Sequence, residues 1–374
     1  MDKRRCRVCS GELRNVLFYE NMPKAAQHLP TKEELPSERG SDLQVCECVG
    51  CGLVQLDNEP VPYYKEVIRS AAFSEEMKEF RVEQFKNFIE KNNLANKKII
   101  EIGCGYGEYL SLMSAAGANC SGIEYSAESV RQCKEEGLDV NFDYLEESTK
   151  LKGAPFDGFF ILNFLEHFPH PRESLIALSD NLNDGAIGLV EVPNFDMVLK
   201  GKLFSEFIGD HLLYFTKDTL KNMLSLCGFE VLSCNEIWYD YIISAVVRKR
   251  APLNIIDFYD HQENIKKQLV DYTAKFNGNV AIYGAGHQSF AIISLTKIAD
   301  SVKYVVDDAL FKQDKYTPAT HVPIVSADRL QTDPVEGIII MAGGYSDEVA
   351  RKLERLDLPM SVSIMRDHGL EIIR

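Results

Sequence analysis

Short apolar runs and helix-spaced apolar stripes alternate along most of this chain. Ile99-Ile100-Glu101-Ile102 reads as a short buried strand, Gly103-Cys104-Gly105-Tyr106-Gly107 as the turn after it, and Tyr109, Leu112 and Met113 as one face of the helix that follows. Cys120 to Tyr125 predicts the next strand, Ser126 to Glu136 a helix, and Val140-Asn141-Phe142 a third strand with Asp143 at its end. The run from Phe156 to His167 predicts a strand reaching the carboxyl edge of the sheet, and Ile187 to Asn194 predicts another. Upstream, Met77, Val82, Phe85, Phe88 and Ile89 form a stripe over Ser74 to Lys91, with Ser74 as N-cap and Glu75 and Glu76 in the first turn. Downstream, Thr216 caps a helix that Gly228 stops after Cys227. Phe229 to Leu232 and Tyr241 to Val247 then predict a closing hairpin. This order is that of an α/β fold with a mostly parallel sheet.

The pattern changes at both ends. After Ala251-Pro252, a long helix over Leu253 to Phe276 leads into Val280-Ala281-Ile282-Tyr283, a Gly284-Ala285-Gly286 turn, and a strand from Val302 to Val306 ending in Asp307-Asp308. This predicts a second Rossmann-like unit, with a glycine signal too sparse to assign a ligand. At the front, Cys6-x-x-Cys9 and Cys48-x-x-Cys51 have the spacing of a four-thiolate zinc site, with Cys46 as an alternative to Cys48. Asn21 to Asp42 between them, with three prolines, predicts a long loop. The expected domains are a zinc module over 1–58, a central domain over 59–250 and a C-terminal Rossmann-like domain over 251–374.

Composition narrows the function. Five of the ten cysteines lie in the first 51 residues, which argues for a structural metal rather than a disulfide framework. The formal charge of -15 opposes nucleic acid as a partner. No apolar run reaches membrane-spanning length, and no signal-peptide core follows Met1 to Cys6, so the expected location is cytoplasmic.

The glycine turn is where a cofactor is expected, because a strand, a turn and a helix start aim backbone N–H groups at one place. Glu101, two residues before the first glycine, would repel a pyrophosphate but suits a cation, and Glu124 stands where a bound nucleoside needs an acid for its ribose hydroxyls. These residues resemble the class I S-adenosylmethionine-dependent methyltransferases. The resemblance implies S-adenosylmethionine as cofactor, held by Glu101, Gly103, Cys104, Gly105, Tyr106, Gly107, Glu124 and Tyr125, with Asp143 on the adenine amine and Asn163 at the end of the fourth strand. His167 would sit over the methyl donor.

The three-part order, together with Cys48-x-x-Cys51-Gly52-Leu53-Val54-Gln55-Leu56, Glu191-Val192-Pro193-Asn194, Asp210-His211-Leu212-x-Tyr214-Phe215 and Tyr283-Gly284-Ala285-Gly286, resembles the sugar C-methyltransferase family. That resemblance implies methylation of a nucleotide-linked keto-deoxysugar, with His211 and His167 near the acceptor and Asp210 in place of a glutamate. A histidine would take the proton beside the ketone, and the resulting enolate would attack the methyl group. Two positions depart from the family pattern. Ile208 replaces a tyrosine two residues before the acid, and Arg69-Ser70-Ala71-Ala72-Phe73-Ser74 replaces a tyrosine-rich stretch. O- or N-methylation of a sugar or other small molecule is the alternative within enzymes. A non-catalytic S-adenosylmethionine-binding module is the alternative outside them.

Overall fold

A computed structural model describes residues 5–24, 29–66 and 74–374. The altered stretch Arg69 to Phe73 lies outside the described residues. The chain divides into two compact units, Met1–Pro252 and Leu253–Arg374.

In the first unit, strands β1 (Leu13–Met22), β2 (Ser41–Cys48) and β3 (Val54–Leu56) form an antiparallel meander. The region between the cysteine pairs is therefore loop only from Pro23 to Gly40, with residues 25–28 outside the described set. Helix α1 (Glu75–Lys91) is capped by Ser74, whose side chain accepts the Met77 N–H. Its buried face is Arg81, Phe85, Phe88 and Ile89. Val82, expected in the core, is 46% exposed. The inward turn position, four residues before Phe85, is taken by the arginine.

The α/β core then follows: β4 (Lys98–Ile102), α2 (Glu108–Ala115), β5 (Asn119–Glu124), α3 (Ala127–Glu135), β6 (Val140–Phe142), β7 (Phe156–Leu162), α4 (Pro171–Asp180), β8 (Leu182–Pro193), α5 (Phe195–Gly201), β9 (Leu213–Tyr214), α6 (Lys217–Leu226), β10 (Phe229–Ile237) and β11 (Ile242–Lys249). The main sheet has the order β10-β11-β8-β7-β4-β5-β6. Strands β8, β7, β4, β5 and β6 run parallel, while β11 is antiparallel to β8 and β10 to β11, which gives the expected hairpin. Because strand side chains alternate between faces, Ile100 and Phe159 join one core and Ile99 and Phe160 the other. Strand order reverses beside β4, between β5 and β7, and ligands of open α/β sheets bind at such a point.

Two local features differ from expectation. The strand expected to reach His167 stops at Leu162. Asn163 takes a left-handed backbone (φ 50), which asparagine tolerates, and a short 3-10 turn over Leu165–His167 follows. Strand β9 pairs with β3, Val54 opposite Tyr214 and Gln55 opposite Leu213. The cysteine segment thus completes its sheet, β1-β2-β3-β9, with a strand from the central region and shares one compact unit with it.

The second unit contains α7 (Ile256–Ala274), β12 (Val280–Tyr283), α8 (His287–Thr296), β13 (Tyr304–Val306), β14 (Lys315–Tyr316), β15 (Pro323–Val325), α9 (Arg329–Thr332), β16 (Gly337–Ile340), α10 (Ser346–Arg355), β17 (Ser361–Arg366) and β18 (Gly369–Ile372). Its sheet order is β14-β15-β13-β12-β16-β17-β18, parallel except at its two edge strands. Among the described residues, no helix is long and apolar enough to cross a membrane.

Candidate functional site

The glycine turn is drawn onto the end of β5. Glu124, 1% exposed, accepts the N–H of Gly105 at 3.0 Å with one carboxylate oxygen and those of Tyr125 (2.9 Å) and Ser126 (2.8 Å) with the other. One carboxylate therefore pins the turn and the start of α3 together. Gly103 and Gly105 have positive φ, and at Gly107 (φ +85) a side chain would be strained and its Cβ would lie 2.3 Å from Leu138 Cδ1, which would have to shift. Glu101 and Cys104 are buried in this turn, and Tyr106 is 45% exposed at its rim. Tyr125 stacks on Phe142 with ring centroids 5.0 Å apart and a 26° interplanar angle, both rings open to solvent. Asp143, next to Phe142, accepts the Tyr144 N–H. The flat aromatic pair, the acid at the strand end and the aimed N–H groups fit a nucleoside. Asn163 donates its N–H to the Glu191 carbonyl at 2.9 Å, and its buried Oδ1 has no partner among the described residues.

A second group collects where β7 ends. The 3-10 turn presents Glu166 and His167, and the irregular segment before β9 presents Asp210 and His211. The two imidazole rings meet edge to face, with centroids 4.8 Å apart at 82°. His167 Nδ1 lies 2.8 Å from the Asp210 carbonyl oxygen, which can only accept, so Nδ1 carries the proton and Nε2 keeps its lone pair. The Asp210 side chain accepts from Tyr63 Oη at 2.6 Å. Burial pushes His167 down to about 4, against the opposing effect of the Asp210 carbonyl. Burial, and to a lesser degree the repulsion that a protonated His167 would exert, push His211 down to about 3. Both rings are thus neutral near pH 7 and can accept a proton. Glu166 is driven the other way, to about 8, by burial, and its Oε2 has no partner among the described residues. Ligand atoms of Glu166, His167 and His211 lie within 4.8 Å of one another. Beside this group, Ile208 belongs to the wall of an apolar cavity of about 280 Å³ with Tyr19, Met22, Phe204 and Phe207.

The front cysteines converge as their spacing implied. The sulfurs of Cys6, Cys9, Cys48 and Cys51 lie within 4.8 Å of one another, Cys6 facing Cys51 at 3.7 Å and Cys9 facing Cys48 at 3.4 Å. Backbone N–H groups of Val8 and Cys51 point at the sulfurs of Cys6 and Cys48. Cys6 is lowered to about 5, chiefly by Cys51. Four convergent sulfurs with such N–H donors fit a tetrahedral metal. Cys46 is elsewhere, with its sulfur 3.2 Å from Asn15 Oδ1.

Residues 73–234 match a family model described as a methyltransferase domain, and residues 252–358 match one described as a C-methyltransferase C-terminal domain. The chain carries a methyltransferase domain over residues 73–234. A C-methyltransferase, NovU, of Streptomyces niveus is 21% identical over 92% of this chain and 90% of its own length. A ubiquinone biosynthesis O-methyltransferase of Erwinia tasmaniensis is 30% identical over 100 residues, 25% of this chain and 41% of that protein. Thus the chain spans less than half the length of that relative. Among solved structures, an S-adenosylmethionine-dependent methyltransferase from Clostridium acetobutylicum aligns with a TM-score of 0.39 at 13% identity, over 50% of this chain and 96% of that one.

Within the methyltransferase domain, the sequence pointed to the turn, Glu124 and both histidines, and missed three groups. Glu166 was passed over as part of a strand. Tyr63 lies in a loop with no periodicity to weigh it by. Arg81 did leave a signal, since it stands midway between Met77 and Phe85 at four-residue steps, inside the apolar stripe.

Proposed function

We propose that this chain is an S-adenosylmethionine-dependent C-methyltransferase whose acceptor is a nucleotide-linked keto sugar. The observation that carries this reading is the pair of neutral imidazoles at the sheet edge, His167 buried and His211 half-buried, one strand from the cofactor turn. The match over 252–358 supports carbon as the methylated atom. Glu124 holds the donor ribose, Tyr125 and Asp143 face its adenine, and the Gly103 to Gly107 turn with Glu101 receives the aminoacyl end. When bound, the donor supplies an electrophilic methyl group. His211 removes the proton beside the ketone, and His167, fixed by the Asp210 carbonyl, shares that edge and accepts a hydrogen bond at Nε2. Tyr63 holds the Asp210 carboxylate. Burial of Glu166, His167 and Asp210 limits water at this edge, and alignment lowers the remaining barrier. Incubation with the donor and a panel of nucleotide sugars in deuterated buffer is the test. A keto sugar should gain one methyl on carbon and, without donor, exchange its neighbouring proton; a methyl found on oxygen or nitrogen overturns the reading.

A second reading, O-methylation of a small molecule with an apolar portion, is favoured by Ile208 and the apolar cavity it lines. It needs only deprotonation of a hydroxyl, and the same incubation decides it.

Cys6, Cys9, Cys48 and Cys51 are proposed to hold a structural zinc. The protein as purified should carry about one zinc per chain, because four thiolates close one tetrahedral shell. Metal analysis that finds none in folded protein overturns this.

A further inference from the structure

The edge where β7 ends gathers more than two bases. Glu166 and His167 stand on the 3-10 turn and His211 on the irregular segment before β9, and two crossed hydrogen bonds fix those segments to each other. Leu212 donates its N–H to the Glu166 carbonyl at 2.9 Å, and His167 Nδ1 donates to the Asp210 carbonyl at 2.8 Å. The three side chains are thereby held together before any ligand arrives. One ligand atom from each lies within 4.8 Å of the other two. Bonds of about 2.0–2.2 Å to a shared ion need these atoms to close in by less than about 1 Å each.

Glu166 is the group that proton transfer at the histidine pair leaves over. It is 1% exposed, and its Oε2 has no partner among the described residues. A buried carboxylate is stable as an anion only when it is paired or coordinates a metal. Its neighbour offers no proton for that purpose: the His167 hydrogen is on Nδ1, so Nε2 turns a lone pair to Glu166 Oε1 across 3.9 Å. That gap exceeds the roughly 3.2 Å at which a hydrogen bond ends and fits an ion about 2 Å from each atom.

The donor set says which ion. Two imidazoles and one carboxylate suit zinc, cobalt, nickel or iron, whereas magnesium and calcium prefer oxygen alone. The bond from His167 Nδ1 to the Asp210 carbonyl is the kind that orients a ligating histidine. Three protein ligands leave a position open to water or to an acceptor oxygen.

We propose that Glu166, His167 and His211 bind one divalent first-row transition-metal ion, and that this ion silences the edge by taking the lone pairs that otherwise accept a proton. The site is independent of the acceptor reading, and the silencing rests on that reading.

The test is cobalt(II) titrated into the full-length protein as purified, followed by calorimetry and visible absorption. One ion per chain should bind with d–d absorption and without the sulfur-to-cobalt charge transfer that thiolates give, which separates this site from the four cysteines. Glu166→Gln and His211→Ala should each weaken that binding by about tenfold or more, and His170→Ala, at the exposed start of α4, should leave it within about twofold. Cobalt that shows thiolate bands alone overturns the site, and so does equal affinity, or equal weakening, in all three variants. Should a variant fail to fold, NMR of the histidine-labelled wild type answers alone: cobalt should shift the ring signals of two of the eight histidines, and none shifted overturns the site. With the site filled, turnover of a nucleotide sugar should fall about tenfold or more, and turnover unchanged or raised overturns the silencing. Absence of turnover before any metal is added fails the acceptor reading and the silencing with it, while binding still decides the site.

Discussion

Both units run a strand into a glycine turn and a helix, then close the next strand on an acid, yet the two acids are used differently. Glu124 accepts backbone N–H groups from Gly105, Tyr125 and Ser126 and gathers a turn of three glycines. Asp307 accepts the N–H of Ala285 at 2.7 Å and that of Ala309 at 2.9 Å, and the Lys312 ammonium sits on it at 2.9 Å. Burial would push the Asp307 carboxyl up, but Lys312 and the two N–H groups outweigh it and hold it below the usual range. Gly284 (φ +112) is there for packing, since a Cβ would lie 2.7 Å from the Met341 carbonyl oxygen. A shared topology thus delivers an acid to a sheet edge in each unit. In the second, a lysine of the chain itself occupies the acid, whereas the first gathers it against a donor turn with two imidazoles on the same edge.

Six variants put that contrast under strain. The largest effect belongs to chemistry in the first unit: His211→Ala should lose about 10²–10⁴-fold in turnover with donor affinity unchanged, read by steady-state rates beside calorimetry. Full turnover in His211→Ala with His167→Ala inactive would transfer the role to His167. Next comes the pair of acids. Glu124→Ala should cost about 1–3 kcal/mol of donor binding, about 5- to 150-fold in affinity, whereas Asp307→Ala should leave donor affinity alone. An equal loss in both would erase the distinction.

A smaller effect is expected from Glu166, whose carboxyl is raised by burial from 4.5 to about 8. The folded state holds its proton more tightly than the unfolded chain, so its contribution is fully present below pH 4.5 and is lost as pH rises through about 8. Thermal melts of Glu166→Gln should therefore show a flatter decline than wild type across that interval. The smallest effect is Lys312→Met, which should cost at most about 1 kcal/mol at pH 7. Asp307 is depressed in the folded state, so this cost should fade as pH drops toward and below 3.8, which urea titrations at several pH values would read.

Local signals carried much of this fold into the sequence. Ser74 and Thr216 cap the helices assigned to them, the paired cysteines bring four sulfurs together, and an acid follows each glycine turn at the next strand end. The misses arise where one rule overrode another. A run as apolar as Phe156 to His167 reads as uninterrupted strand, and only the left-handed backbone at Asn163 ends it early enough to turn Glu166 and His167 onto the edge. Val82 looks like core by hydropathy, but helix phase gives that position to Arg81, whose charge is matched by Glu191 more than a hundred residues away. No local pattern foretells such a pairing, nor that of Val54 with Tyr214.

That last pairing ties the cysteine segment to the histidine edge. Leu56 donates its N–H to Leu212, the Leu212 N–H goes to the Glu166 carbonyl, and β3, between them and the cysteines, begins three residues after Cys51. The backbone of the histidine edge is thereby laced to the cysteine sheet by a ladder that either element would break on leaving. Local opening follows such ladders, so the amides of Val54 to Leu56 and of Leu212 to Tyr214 should exchange with deuterated solvent as one cooperative unit. If the four sulfurs hold the proposed zinc, its removal should be felt as slackening at His211, with the cysteine cluster acting as a clasp on that edge.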